Sequence, residues 1–171
     1  DANTEVKQAA EVIARLEAGE HVAYCTDAGT PCISDPGYRL VAAVRDAFGD
    51  DVTIEAIPGP SAVAAALSIA GVPADSFVFL GFLPHKKGRQ TALRGIAAEE
   101  GTIVLYESSH RILKLLEELT GVIPDREVVI IREITKKFEE VRKGKAAELK
   151  TFFGENPQHT KGEFVIVLGP C

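Results

Sequence analysis

At 171 residues the chain is long enough to bury a real core, in one large domain or two small ones, and its 46% apolar and 26% charged residues are the balance of a globular protein. No apolar run approaches the roughly 20 residues that span a bilayer and no basic stretch leads into an apolar leader, so a cytoplasmic location with no membrane partner is expected. The net charge of −6 excludes a uniformly positive surface while leaving room for a local basic patch, and Cys25, Cys32 and Cys171 make no CxxC pair, which argues against a disulfide framework or a zinc site.

In chain order, Asn3 or Thr4 can cap a first helix with Val6, Ala10, Ile13 and Leu16 on one face, stopped by Gly19. His21 to Cys25 reads as a buried-type strand. It runs into the loop Thr26 to Gly37, TDAGTPCISDPG, in which Asp35-Pro36 reads as N-cap and N1 of a helix reaching Phe48, with Leu40, Val41 and Val44 inward. Val52 to Ile57 is β-branched at three positions and predicts a second strand. It enters Pro58-Gly59-Pro60-Ser61, where Ser61 caps a small-residue helix over Ala62 to Ala70, ended by Gly71. A linker follows, and the expected division into domains is 1–73 and 74–171.

The three phenylalanines of Phe77 to Leu83 predict a strand that opens a new core. The basic loop His85-Lys86-Lys87-Gly88-Arg89 precedes a helix over Gln90 to Glu100. Thr102 to Tyr106 is a strand leading through Glu107-Ser108-Ser109-His110-Arg111 into a helix that buries Ile112, Leu115, Leu116 and Leu119 and stops at Gly121. Strands at Glu127 to Arg132, Phe138 to Arg142 and Glu163 to Leu168, and a helix at Ala146 to Phe153, complete the pattern. Alternating strands and helices predict an α/β fold with a mostly parallel or mixed sheet in each half.

Strand-to-helix loops are where open α/β sheets bind ligands, because they lie beyond the carboxyl ends of the strands. The loops after Cys25 and Ile57 can therefore converge on one ligand. There is no Walker loop, no GxGxxG, no GxSxG and no HExxH, and no metal ligand set is expected. Backbone amides, hydroxyls and a few carboxylates suit a ligand with an adenosine, a free carboxylate and a positive centre better than a triphosphate. Asp27 can pair with a cationic ligand group or simply fix its loop. Thr30 and Ser34 can bond a ligand or their own backbone. His85, Lys86, Lys87 and Arg89 can seat phosphates or form a solvated loop, and the run from Lys136 to Lys145 has the same two readings.

Taken together, DAGTPCISDPG, IPGPSA, GFLPHKKGRQ, LYESSHR and GEFVIVLGP resemble the tetrapyrrole methylase superfamily, and within it the branch that methylates small-subunit ribosomal RNA. The resemblance covers essentially the whole chain. It implies a two-domain fold with S-adenosylmethionine in the cleft between domains, usually as a homodimer, and methylation of a cytidine ribose 2′-hydroxyl. By position, Asp27, Gly29, Thr30 and Ile33 match the first cofactor loop and Ser61 and Ala62 the second, while Tyr106 and Glu107 match the second domain's contribution. Gly169 and Pro170 are a weaker match. Lys86, Lys87, Arg89 and Arg111 are the residues expected to face RNA, and Glu107 and His110 are the candidate catalytic bases. Carbon methylation of a tetrapyrrole, or a non-catalytic nucleotide-binding module, remain open alternatives. The family pattern also has an opening strand with a Pro-x-Gly-Asn-type loop before the first helix of this chain, so the first domain is expected to be incomplete and to present a sheet edge that a partner covers.

Overall fold

The computed structural model describes residues 2–171, with side chains described from Lys7 onward; the expected Asn3 or Thr4 cap and the apolar Val6 lie outside the described side chains. The chain forms two compact units, one ending at Ser61 and one beginning at Ala62.

The first unit is built on α1 (Ala2–Glu17) and α2 (Tyr38–Phe48), which pack on each other and bury Ala9 and Val44. The sheet expected in this half is absent among the described residues. His21–Cys25 and 52–57 form no strand, and every residue of His21–Cys25 is exposed. An apolar β-branched run becomes a strand only when a neighbour accepts and donates its backbone hydrogen bonds, and no described segment does so here. The expected helix start also shifts. Gly37, at φ +130, is the N-cap and α2 begins at Tyr38, while Asp35 accepts a hydrogen bond from Thr26 Oγ1 (3.0 Å) instead of capping. Leu40 and Val44 form the inward stripe at i and i+4, leaving Val41 37% exposed.

The second unit contains α3 (Ala62–Ala70), β1 (Phe77–Phe82), α4 (Arg89–Ala98), β2 (Thr102–Ser108), α5 (Ile112–Val122), β3 (Glu127–Arg132), β4 (Glu140–Lys145), α6 (Ala146–Glu155), a 3-10 turn (Pro157–Thr160) and β5 (Glu163–Leu168). Its five strands form one mixed sheet in the order β1-β2-β5-β3-β4, with β1 parallel to β2 and every other pair antiparallel. Period-two alternation along β2 builds two cores. Ile103 and Leu105 join Leu93, Ile96, Leu115, Leu116, Leu119 and Phe153 on the side of α4, α5 and α6. Val104 faces the other way, onto Val63, Ala66, Leu67 and Ala70 of α3.

Because α3 packs on β3 and β5, the second unit begins at Ala62, ahead of the division expected after Pro73. The phenylalanine-rich β1 does not open the core either. It is an edge strand in which Phe77 and Phe82 are 43% and 53% exposed, and the centre of the sheet is β2, β5 and β3. Gly121 lies inside α5, whose last turn is closed by Ile123 N–H donating to Leu119 O (2.8 Å). No described helix is long and apolar enough to cross a membrane.

Candidate functional site

In the first unit, the two loops expected to converge on one ligand are in contact with each other. Thr30 Oγ1 donates to Pro60 O (3.2 Å), tying the loop after residue 25 to the Pro58-Gly59-Pro60 turn ahead of Ser61. Gly29 sits at φ +75, and a Cβ there would meet nothing nearer than Pro60 O at 3.9 Å, so the loop backbone is open to a ligand on that side. Cys32 (φ 71) and Ser34 (φ 58) also take left-handed conformations, which L side chains adopt rarely and which cluster at binding loops. Asp27 is exposed and Ile33 is 50% exposed, so a carboxylate and an apolar side chain are presented from one short loop. A groove of about 350 Å³ lies between α1 and the end of this loop, lined by Glu11, Val12, Tyr24, Pro36, Gly37 and Leu40 among others.

In the second unit, Tyr106 faces the α3 side of the sheet, with its ring 5.0 Å from Phe79 and 5.5 Å from Phe82. Glu107, one residue on, is 2% exposed. Its Oε1 accepts the N–H of Ser108 (2.8 Å) and lies 2.7 Å from Arg111 Nε, and its Oε2 is 3.9 Å from Arg89 Nη2. Arg89 grips Glu118 through Nε and Nη2, the latter at 2.6 Å, and this bond, offset by burial and reinforced by the Glu118 and Glu107 charges, raises the guanidinium above its ordinary value. Three expectations change as a result. Glu107 is a buried charge-balancing carboxylate, not an accessible base. Arg89, 4% exposed, and Arg111, whose side chain is 14% exposed, are turned inward to carboxylates and carbonyls. Lys86, Lys87 and His110 are on the surface.

Some residues carried no signal in the sequence. Arg126, 5% exposed, donates to the carbonyls of Ile96 (3.1 Å), Glu99 (2.7 Å), Gly101 and Gly169, joining the end of α4 to the end of β5. Gly169 is thus held from below, its own N–H donating to Glu127 O (3.0 Å). Phe138, 61% exposed, carries Lys137 Nζ 5.5 Å from its ring centre in the loop before β4. No metal-binding group of three or more His, Cys, Asp or Glu occurs among the described residues.

Two loops tied together in the first unit and a mixed sheet carrying two cores in the second make this an α/β protein. The family model for tetrapyrrole (corrin/porphyrin) methylases matches residues 2–150, and the chain belongs to that family. Among curated relatives, ribosomal RNA small subunit methyltransferase I of Escherichia coli O157:H7 is 42% identical over 168 residues, covering 97% of this chain and 58% of that protein. The protein of the same name from Thermotoga maritima is 38% identical over 162 residues, covering 95% of this chain and 71% of that one. The chain thus spans a little over half the length of several of these relatives. Among solved structures, the methyltransferase CobJ has a TM-score of 0.68 at 19% identity over 98% of this chain and 72% of that one. Uroporphyrin-III C-methyltransferase from Thermus thermophilus, complexed with S-adenyl homocysteine, has a TM-score of 0.54 at 17% identity, covering 82% and 62%. These two establish the fold.

Proposed function

We propose that this protein transfers a methyl group from S-adenosylmethionine to the 2′-hydroxyl of a cytidine ribose in small-subunit ribosomal RNA, working as a homodimer in the cytoplasm. The observation that carries this reading is the identity of about 40%, running through nearly the whole chain, with relatives named for methylation of that RNA. The loop pair of the first unit fits the donor. Gly29 lets an adenosine moiety approach the backbone, Ile33 offers it an apolar contact, and Asp27 offers an acceptor to a hydroxyl or to a positive centre. Thr30 spends its hydroxyl hydrogen on Pro60 and keeps its oxygen as an acceptor. Ser61 and Ala62 follow the second loop. When bound, S-adenosylmethionine supplies an electrophilic methyl group.

Methyl transfer of this kind gains most from holding acceptor and donor in line, so the chain's work is chiefly positional. A ribose hydroxyl also needs a proton acceptor near neutral pH. With Glu107 buried between arginines, His110 in the turn between β2 and α5 is the side chain we assign to that role. Lys86 and Lys87 present two cations for phosphates.

The test is a methyl-transfer assay with the intact protein on small ribosomal subunits, mapping the modified nucleotide, with calorimetry of S-adenosylmethionine binding beside it. A 2′-O-methylcytidine is expected. Donor binding with methylation of a tetrapyrrole and none of RNA refutes the substrate, and absence of donor binding refutes the enzyme.

A further inference from the structure

Four charged side chains meet around Glu107 at the end of β2. Arg89, Arg111, Glu107 and Glu118 are drawn together as ion pairs, and within them Glu107 Oε2 and Arg111 Nε are buried without a hydrogen-bond partner, the latter 2.7 Å from Glu107 Oε1. Buried ion pairs of this kind are often no more stabilising than apolar side chains of the same volume, so the spare donors show what the network acts on. Arg111 Nη1 donates to Leu83 O (2.9 Å) and Arg89 Nη1 donates to Pro84 O (3.0 Å). These are consecutive carbonyls, and they open the loop that carries His85, Lys86 and Lys87. At its far end the loop is closed by Arg89 N–H donating to Lys86 O (3.2 Å) and by Gly88, at φ +86, as N-cap of α4. Pro84 adds a fixed φ at the entry. The two lysines therefore project from a segment anchored at both ends by buried groups.

We infer that Arg89, Glu107, Arg111 and Glu118 are positioning residues for RNA: they hold the Lys86-Lys87 loop in the one shape that meets the substrate's phosphates. This rests on the RNA methyltransferase reading. Arg111 fixes the first carbonyl and Arg89 the second, while Glu107 and Glu118 aim the two guanidiniums. Lysine cannot replace either arginine, because a point charge lacks the fork that binds a carboxylate and a carbonyl together.

The experiment compares the intact protein with Arg111→Lys, Glu118→Gln and the double variant Lys86→Ala/Lys87→Ala. Glu118 is only partly buried and sits on a helix surface, so its variant tests the network without emptying the buried pair. Each protein is assayed for kcat, for KM toward small ribosomal subunits and toward S-adenosylmethionine, for the salt dependence of the RNA KM, and for the rate of trypsin cleavage after Lys86 or Lys87. The double variant should raise the RNA KM and flatten its log–log salt slope by about 2, one for each phosphate that no longer meets a lysine. Arg111→Lys and Glu118→Gln should raise the RNA KM about tenfold and speed cleavage at the intact lysines, with kcat and the donor KM unchanged. If these two variants leave the RNA KM and the cleavage rate at wild-type values while the double variant does not, the positioning role is wrong and the RNA reading stands. Equal losses toward RNA and donor overturn the inference as a general disturbance. An unchanged RNA KM and salt slope in the double variant removes the RNA role of the loop itself.

Discussion

Arg126 shows how much one buried side chain can join. It meets four carbonyls from two separate stretches of chain, and those carbonyls would lose their donors together on truncation. Hydrogen bonds from a charged group contribute about 1.5–3 kcal/mol each in isolation and share much of that when clustered, so Arg126→Ala should destabilise the second unit by about 3–5 kcal/mol in urea denaturation. Gly37 is constrained in the opposite sense, by space. A Cβ there would lie 2.8 Å from Tyr24 Cε1 and 2.9 Å from Cys32 Sγ, at a φ of +130. Gly37→Ala should cost the first unit about 1–3 kcal/mol, read from the same denaturation experiment by a probe on α2. For His110, a proton acceptor is worth roughly a hundredfold or more, so His110→Gln should lower kcat by about that factor and leave S-adenosylmethionine affinity at its wild-type value in calorimetry.

At the scale of elements, the edge formed by β3, β4 and the 3-10 turn is held by charge. Glu140 lies 3.2 Å from Arg132 Nε and 2.6 Å from His159 Nδ1 and also accepts from Arg142, whose guanidinium stacks 3.5 Å from the centre of the Phe152 ring. Burial alone would raise the Glu140 carboxyl, but the bonds from His159 and Arg142 and their charges outweigh it and hold the group below its ordinary value of 4.5. Glu133 is also held low, first by the N–H of Glu163 and then, against burial, by Lys136. A carboxyl whose folded value is depressed stabilises the fold fully above its unfolded value and loses that contribution as pH falls through the folded value. Stability carried by this edge should therefore be constant near neutrality and decline below about pH 4.5. Glu140→Gln should be less stable than wild type by about 1–3 kcal/mol at pH 7, with the two converging as the pH is lowered into the acid range, measured by thermal melts across pH.

For the whole molecule, protection against hydrogen exchange should follow backbone pairing. The amides of 20–26 and 52–60 have no sheet partner among the described residues, whereas β2, β5 and β3 are paired on both sides and bury both cores. Mass-resolved exchange of this chain should label these two segments first and the three central strands last. Protection of 20–26 equal to that of β5 would contradict the unpaired description.

Local pattern carries α3, β3 and β5 to their observed bounds, and it carries the inward face of α5, because a turn residue, a cap or a 3.6-residue stripe is written in neighbouring letters. The contact of Thr30 with Pro60 joins residues thirty apart in sequence and is decided by the tertiary structure. His21–Cys25 and 52–57 read as strands by the same rules and are not, since pairing depends on a partner elsewhere in the chain. Glu107, Arg89 and Arg111 look like surface chemistry in a linear reading. Only folding brings Arg89 to 3.9 Å from Glu107 and turns all three charges inward, because which way a side chain points at a strand end is set by what packs above it.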